Sequence, residues 1–193
     1  MGKITVVNSI TLDGVMQGPA RPDEDRRGGF TKGGWGIPFQ DEVSARKMGG
    51  MMAKGDGALL LGRRTYEDFY SVWPKRKDNP YTEHLNKTRK YVASRTLQEP
   101  LLWENSVLLK GGAADAVAEL KKQSDMNLCI LGSGELINSL LERNLIDELV
   151  LLITPIVLGE GRKLFKDGAS SRFRLTESLP TTTGVIIVTY QSV

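Results

Sequence analysis

The sequence of 193 residues contains a single cysteine, Cys129, and a single histidine, His84. One cysteine excludes an internal disulfide framework, and one histidine leaves little material for a zinc site or a Ser-His-Asp triad. No apolar run approaches the roughly 18 residues that span a bilayer, and the first residues lack the long apolar segment of a secretion signal. We therefore expect a cytoplasmic protein that holds no metal and contacts no membrane.

The net charge is also small, because the sequence has 26 Lys and Arg and 23 Asp and Glu. This balance excludes a polybasic nucleic-acid-binding arm but suits a small anionic ligand. The tryptophans Trp35, Trp73 and Trp103 do not form the interleaved aromatic and basic pattern that stacks bases. We expect no nucleic-acid partner. The length favours one domain, residues 1–193, over two.

Short apolar runs alternate with helical patterns through most of the chain. This alternation favours an α/β fold with a mostly parallel sheet covered by helices on both faces. The last two runs have no helix between them, so we predict that they pair antiparallel at the carboxyl-terminal edge. Thr65 and Asp68 resemble a capping box at the start of a helix. The predicted strands are 4–9, 58–61, 91–93, 106–110, 128–131, 148–154, 173–178 and 185–190, and the predicted helices include 40–54, 113–123 and 135–143.

Three turns after predicted strands carry groups suited to phosphate: backbone amides, hydroxyls and guanidinium groups. Alone, the turns at Gly62 and Gly132 are equally well explained as a cap or a plain turn, whereas Ser94-Arg95 alone favours a surface pair without a ligand. Because the carboxyl ends of parallel strands meet at one edge of a sheet, we expect the three turns to converge. The turn at Lys110 is a weaker candidate and favours a plain loop and helix start. The three turns are Gly62-Arg63-Arg64-Thr65, Ser94-Arg95 and Gly132-Ser133-Gly134-Glu135.

The longest stretch without a periodic pattern is 17–35, which holds five glycines, two prolines and a charge cluster. A loop of this length predicts either a functional lid or a disordered segment. Trp35 at its end either closes over a site or anchors the loop.

A known family has the same turns in the same order along the chain. In this sequence they are preceded by Thr11-Leu12-Asp13-Gly14 and followed by the stretch 154–161. The ordered set resembles the dihydrofolate reductase-like superfamily over nearly the whole chain. Within that superfamily it is most similar to the carboxyl-terminal reductase domain of the bifunctional riboflavin-biosynthesis protein and its stand-alone relatives.

The resemblance implies a three-layer dihydrofolate reductase-like fold and an NADPH-dependent reductase, usually a homodimer. In that family the turn matching 132–135 holds the cofactor pyrophosphate, and the turn matching 62–65 also contacts phosphate. The position of Ser94-Arg95 meets the 2′-phosphate. The stretch 11–14 borders the nicotinamide and the substrate. An apolar edge strand such as 185–188 permits pairing of two copies.

The implied substrate is pteridine-like or ribosylaminopyrimidine-like, as for 5-amino-6-(5-phosphoribosylamino)uracil reductase. Two alternatives stay open: a dihydrofolate reductase, and a non-catalytic nucleotide-binding homodimer of the same fold. For the two enzymes, the cofactor supplies the reducing chemistry and the protein supplies position.

A carboxylic acid whose pKa is raised by desolvation would supply the proton. The resemblance makes Glu160 the first candidate, followed by Asp41 or Glu42 on the first helix. Asp13 is a further candidate with a rival role as a turn former. Substrate contacts are expected from Thr11, Asp13, Trp35 and Glu160.

Overall fold

Strands and helices alternate along the computed structural model, which describes residues 2–53, 57–77, 79, 81–123 and 125–193. The strands are β1 (Ile4–Thr11), β2 (Gly57–Gly62), β3 (Lys90–Ala93), β4 (Ser106–Leu109), β5 (Asn127–Leu131), β6 (Glu148–Thr154), β7 (Phe173–Pro180) and β8 (Ile186–Ser192). The helices are α1 (Glu42–Ala53), α2 (Arg63–Val72), α3 (Tyr81–Lys87), α4 (Ala113–Gln123) and α5 (Gly134–Leu141). Short 3-10 turns lie at Arg27–Gly29, Ile37–Phe39 and Trp73–Lys75.

The eight strands form one sheet in the order β4-β3-β2-β5-β1-β6-β8-β7. Neighbours from β4 to β6 run parallel, whereas β8 pairs antiparallel with both β6 and β7. The predicted mostly parallel sheet with an antiparallel carboxyl-terminal edge is therefore confirmed.

Strand β2 shows why both faces of the sheet are covered. Successive side chains of a strand point to opposite faces. Ala58 and Leu60 join the core cluster that includes residues of α4 and α5, whereas Leu59 and Leu61 join the cluster around Tyr66. These four β2 side chains are at most 5% exposed. A continuously apolar strand is what such two-sided burial requires.

Three sequence predictions need correction or qualification. Strand β8, which follows Val185, lies between β6 and β7, so the predicted pairing edge at 185–188 is wrong and the edge strand is β7. Helix α2 begins at Arg63 and has no side-chain cap, so the predicted capping box at Thr65 is wrong. The predicted helix 40–54 is observed as Glu42–Ala53, and Lys54 lies outside the described residues. None of the helices in the described ranges is long and apolar enough to cross a bilayer.

Candidate functional site

The carboxyl ends of neighbouring parallel strands meet at one edge of the sheet. The last residues of β2 and β3, Gly62 and Ala93, are register partners, so the turns that follow them leave the sheet side by side. Ala93 in turn pairs with Leu109, the last residue of β4. Strand β5, which pairs with β2 on its other side, ends next to Gly132. The topology therefore brings the three predicted phosphate turns to one edge, with the turn at Lys110 beside them.

Ser133 joins the turn after β5 to the turn after β2. The Gly62 backbone N–H donates to Ser133 Oγ at 3.0 Å, and Ser133 Oγ donates to Thr65 Oγ1 at 2.9 Å. Ser133 has φ 61°, a left-handed conformation that costs a non-glycine residue roughly 1 kcal/mol. The predicted convergence of these two turns is confirmed, and Thr65 serves this contact instead of capping a helix.

Helix α5 begins at this junction with free backbone amides. The N–H of Ile137 donates to the carbonyl of Ser133, so the N–H groups of residues 134–136 have no partner within the helix. The side chain of the N-cap residue Ser133 makes no hydrogen bond to them. Free amides and the helix dipole together favour an anion at a helix amino terminus. The start of α5 can therefore hold a phosphate group.

Two side chains border the start of α5. Glu135 forms an ion pair with Arg162 and its side chain is 81% exposed. Because a carboxylate repels phosphate, Glu135 can contribute to anion binding only through its backbone N–H. Met16 packs directly on Gly134, since a Cβ built there would lie 2.6 Å from Met16 Sδ. The glycine leaves room for that thioether.

Asn8 is a polar residue of this region that the sequence analysis missed. It is buried on β1, and its Nδ2 donates to the carbonyl of Gly132 at 3.3 Å. The contact ties β1 to the turn that carries Ser133. The only available signal was an amide side chain on a predicted strand that also carries Val6, Val7 and Ile10.

The two arginines at the start of α2 differ in their partners. Arg63 NH1 lies 3.0 Å from Glu67 Oε2, one helical turn away. Arg64 is exposed and forms no ion pair with any residue in the described ranges. Of the two, Arg64 has the guanidinium that is free to bind an anion.

Beyond β3 and β4 lies an open cleft of about 580 Å³. Its polar lining includes Ser94, Arg95 and Lys110, and its apolar lining includes Leu97 and Leu108. Ser94 Oγ accepts the backbone N–H groups of Thr96 and Leu97 at 3.1 and 3.0 Å. The Ser94 hydroxyl therefore shapes its own turn, and its proton can go either to Thr96 Oγ1 at 3.5 Å or to a ligand. The volume suits a small organic molecule.

The other side of the candidate site is built around Asp13. Its carboxylate accepts the Thr11 hydroxyl at 2.6 Å and the backbone N–H groups of Leu158 and Gly159 at 3.2 and 2.7 Å. These hydrogen bonds, the one from Thr11 first, lower the pKa of Asp13 to about 2. Buried Thr11 also accepts the N–H of Val15. The lowered pKa of Asp13 is opposite to the raised pKa that was expected of a proton donor. It supports the role of Asp13 as a turn former.

Asp41 has a similar outcome at the start of α1. Its carboxylate accepts the Ser44 N–H at 2.8 Å and both the N–H and the hydroxyl of Thr182. The hydrogen bond from the Ser44 backbone holds the pKa of Asp41 well below its usual range. The expected raised pKa is wrong for Asp41, which ties α1 to the turn between β7 and β8. Its neighbour Glu42 is exposed in the first turn of α1.

The loop 17–35 is packed against the stretch that follows β6. Trp35 is buried among Val15, Phe30 and Leu158, and its Nε1 donates to the carbonyl of Gln17 at 2.7 Å. These contacts favour the interpretation of Trp35 as the anchor of the loop. No substrate contact of Trp35 follows from them.

Glu160 lies at a small cavity of about 190 Å³ between this loop and the turn after β6. Its side chain is 49% exposed, and Oε1 lies 3.9 Å from Lys32 Nζ. Arg27 and Arg162 line the same cavity and are paired with Asp25 and Glu135. Glu160 is thus accessible to a ligand but is not the desolvated acid that was expected.

Comparison with known proteins agrees with this arrangement of turns around a mostly parallel sheet. The model of the RibD C-terminal domain matches residues 2–187. The chain belongs to the RibD C-terminal domain family. The resemblance to the riboflavin-biosynthesis reductase domain is therefore confirmed, and the fold is that of the dihydrofolate reductase-like proteins.

Individual relatives give the same picture. The uncharacterized protein YyaP of Bacillus subtilis (strain 168) is 29% identical over 138 residues, covering 68% of this chain and 72% of YyaP. A Shewanella sp. PV-4 protein with a provisional riboflavin-biosynthesis name superposes with a TM-score of 0.75 at 27% identity, covering 99% of both chains. Dihydrofolate reductase from Enterococcus faecalis, complexed with NADP(H) and RAB-propyl, superposes with a TM-score of 0.62 at 12% identity over 99% of this chain and 96% of that one. The last likeness shows the fold alone.

Proposed function

We propose that this protein is an NADPH-dependent reductase acting on a pteridine-like or ribosylaminopyrimidine-like substrate. The observation that carries the proposal is the junction at Ser133, where the turn after β5 and the turn after β2 meet below the free amides of α5. A dinucleotide needs several anion-binding turns on one edge, and this junction supplies two of them next to an open cleft.

The residues of this edge fit the cofactor. Free amides at the start of α5 and unpaired Arg64 suit the pyrophosphate. The leucine-walled cleft suits adenosine, with Arg95 and the Ser94 hydroxyl for a 2′-phosphate. When bound there, NADPH would supply the hydride, and the protein would supply orientation. The NADP(H) complex of the Enterococcus faecalis enzyme, which shares the fold, is consistent with this assignment.

Cofactor binding is tested by titrating NADPH and NADH separately and following nicotinamide fluorescence and thermal stabilisation. We expect saturable binding with a preference for NADPH. Absence of binding of both at millimolar concentration would remove the reductase hypothesis. Oxidation of NADPH is then followed with the ribosylaminopyrimidine and with dihydrofolate as separate substrates.

A second candidate function is a nucleotide-binding protein of the same fold without turnover. It is favoured by the lowered pKa values of Asp13 and Asp41 and by the exposure of Glu160, since none of the three is a desolvated acid. NADPH binding without oxidation by either substrate would support this candidate. Turnover of dihydrofolate alone would identify a dihydrofolate reductase.

We further propose a homodimer formed through β7. This strand is at the edge of the sheet, and Leu175 on it is 51% exposed. An unpaired edge strand offers backbone N–H and C=O groups to a second copy. Sedimentation velocity at micromolar concentration tests this, and Leu175→Lys should shift the protein to the monomer. A monomeric wild type would overturn the proposal.

A further inference from the structure

The cleft beyond β3 and β4 contains a carboxylate as well as its cations. Glu99 and Lys110 both line it, together with Ser94 and Arg95. Glu99 Oε2 lies 3.6 Å from Lys110 Nζ. A cleft suited to an adenosine 2′-phosphate therefore holds a negative charge that opposes that phosphate. This inference rests on the proposed cofactor role of the cleft.

The pair is free to exchange partners. The Lys110 side chain is 80% exposed and that of Glu99 is 50% exposed. Exposed ion pairs contribute little to stability because water screens them, so a ligand can separate the two groups easily. Arg95 forms no ion pair with any residue in the described part of the chain. The Arg95 guanidinium is thus available to a ligand without first leaving a partner, whereas Lys110 must separate from Glu99.

The two groups prefer different nucleotides. A dianionic phosphate attracts Lys110 more strongly than a single carboxylate does and is repelled by Glu99. A ribose 2′-hydroxyl, in contrast, can donate a hydrogen bond to a glutamate, which is how many NAD-binding sites read this position. The same pair therefore responds in opposite directions to the two cofactors.

We propose that Glu99 and Lys110 determine the choice between NADPH and NADH, with Glu99 restraining the preference for NADPH that Arg95 and Lys110 create. Glu99 neutralises Lys110 in the free protein and is displaced by a 2′-phosphate. The specificity of this cleft is then set by three charged groups, two positive and one negative.

The experiment uses the variants Glu99→Gln and Lys110→Met and the probes adenosine 2′,5′-bisphosphate and adenosine 5′-monophosphate, which differ by the 2′-phosphate. Glu99→Gln should raise the affinity for the bisphosphate about three- to tenfold, and Lys110→Met should lower that affinity by a similar factor. Binding of the monophosphate should stay within about twofold for Lys110→Met and should stay equal or weaken for Glu99→Gln. The NADPH-to-NADH affinity ratio should follow the bisphosphate.

Glu119→Gln and Lys122→Met are the matched controls, because these residues form an exposed pair at 2.8 Å on α4 and do not line the cleft. Both controls should leave all affinities unchanged. If wild type binds NADPH but Glu99→Gln leaves the NADPH-to-NADH ratio unchanged or lowers it, the inference is overturned and the proposed function stands. If wild type binds neither dinucleotide, both fall.

Discussion

The two ends of β3 carry charged residues that are partnered in different ways. Lys90 at its start is 0% exposed, and its Nζ donates to the carbonyls of Asn86, Thr88 and Glu104 at 3.1, 2.7 and 3.1 Å. The same Nζ lies 4.4 Å from the Trp103 ring centroid. Arg95, just beyond the other end, lines an open cleft. A cation whose N–H donors are all occupied within the protein has a structural role, because its hydrogen bonds satisfy buried carbonyls, whereas a cation at an open cleft is available to a ligand.

The largest effect on stability is expected at the amino end of β3. Lys90→Met leaves three carbonyls without their donor, so we expect the free energy of unfolding to fall by about 3 kcal/mol. The affinity for NADPH should not change. Urea unfolding measures the loss, and Lys122→Met, at an exposed position on α4, is the control. A nucleotide affinity that falls in Lys90→Met would break the distinction between the two ends.

Lys90 also predicts a pH dependence. Burial lowers the pKa of Lys90 from 10.5 to about 8. Between these values the unfolded chain binds the proton and the folded protein does not, so stability rises with pH across this window. The rise should be present in wild type and absent in Lys90→Met. Equal pH profiles of the two proteins would contradict the assignment.

The next largest effect is expected at the carboxyl end of β3. Arg95→Ala removes the charge-assisted hydrogen bond that we propose for the 2′-phosphate, so NADPH should bind about ten- to thirtyfold more weakly and NADH about as before. Arg89 precedes the same strand at its other end and stacks on Tyr91 at 5.5 Å. Arg89→Ala is therefore the matched control. An equal loss for both dinucleotides in Arg95→Ala would show that Arg95 does not read the 2′-phosphate.

A smaller effect is expected at Ser133, which has both structural and binding roles. Ser133→Ala removes the acceptor of the Gly62 N–H, and stability should fall by about 1 kcal/mol. The affinities for NADPH and NADH should fall by the same factor, because Ser133 does not line the cleft proposed for the 2′-phosphate. Ser139→Ala is the control, since Ser139 Oγ bonds to the Leu136 carbonyl on the same helix. A selective loss of NADPH in Ser133→Ala would contradict the assignment of two separate subsites.

The sequence predicted those parts of the molecule that depend on local pattern. The apolar run of β2 predicts burial on both faces, and glycine-bearing and hydroxyl-bearing turns after strands predict the shared edge, because topology follows from the alternation of strands and helices. Lys90 and Asn8 could not be placed, because their burial depends on the Glu104 carbonyl 14 residues away and the Gly132 carbonyl 124 residues away. The turn-forming role of Asp13 was one of the two predicted, but its low pKa could not be predicted, since one of its donors, Gly159, is 146 residues away.

The hydrogen-bonded carboxylate of Asp13 provides an acid-sensitive test of stability. Its pKa is lowered from 3.8 to about 2, so its contribution to stability is present above the unfolded value and is lost as the pH falls through the folded value. Asp13→Asn should lower the melting temperature at neutral pH, because an amide cannot accept all three hydrogen bonds. The difference from wild type should shrink as the pH falls below about 4. A difference that persists at the lowest pH would contradict this account.

The smallest effect on stability is expected at Glu160, where a substitution should change turnover but hardly change the free energy of unfolding. Its exposed pair with Lys32 is long, so Glu160→Gln should change the free energy of unfolding by less than about 0.5 kcal/mol. Turnover of a confirmed substrate should fall at least about tenfold, since a glutamine cannot supply or relay a proton. Glu142→Gln, an exposed glutamate paired with Lys166, is the control for the loss of a surface ion pair. Turnover that survives in Glu160→Gln would show that Glu160 does not supply the proton and would limit its role to the contact with Lys32.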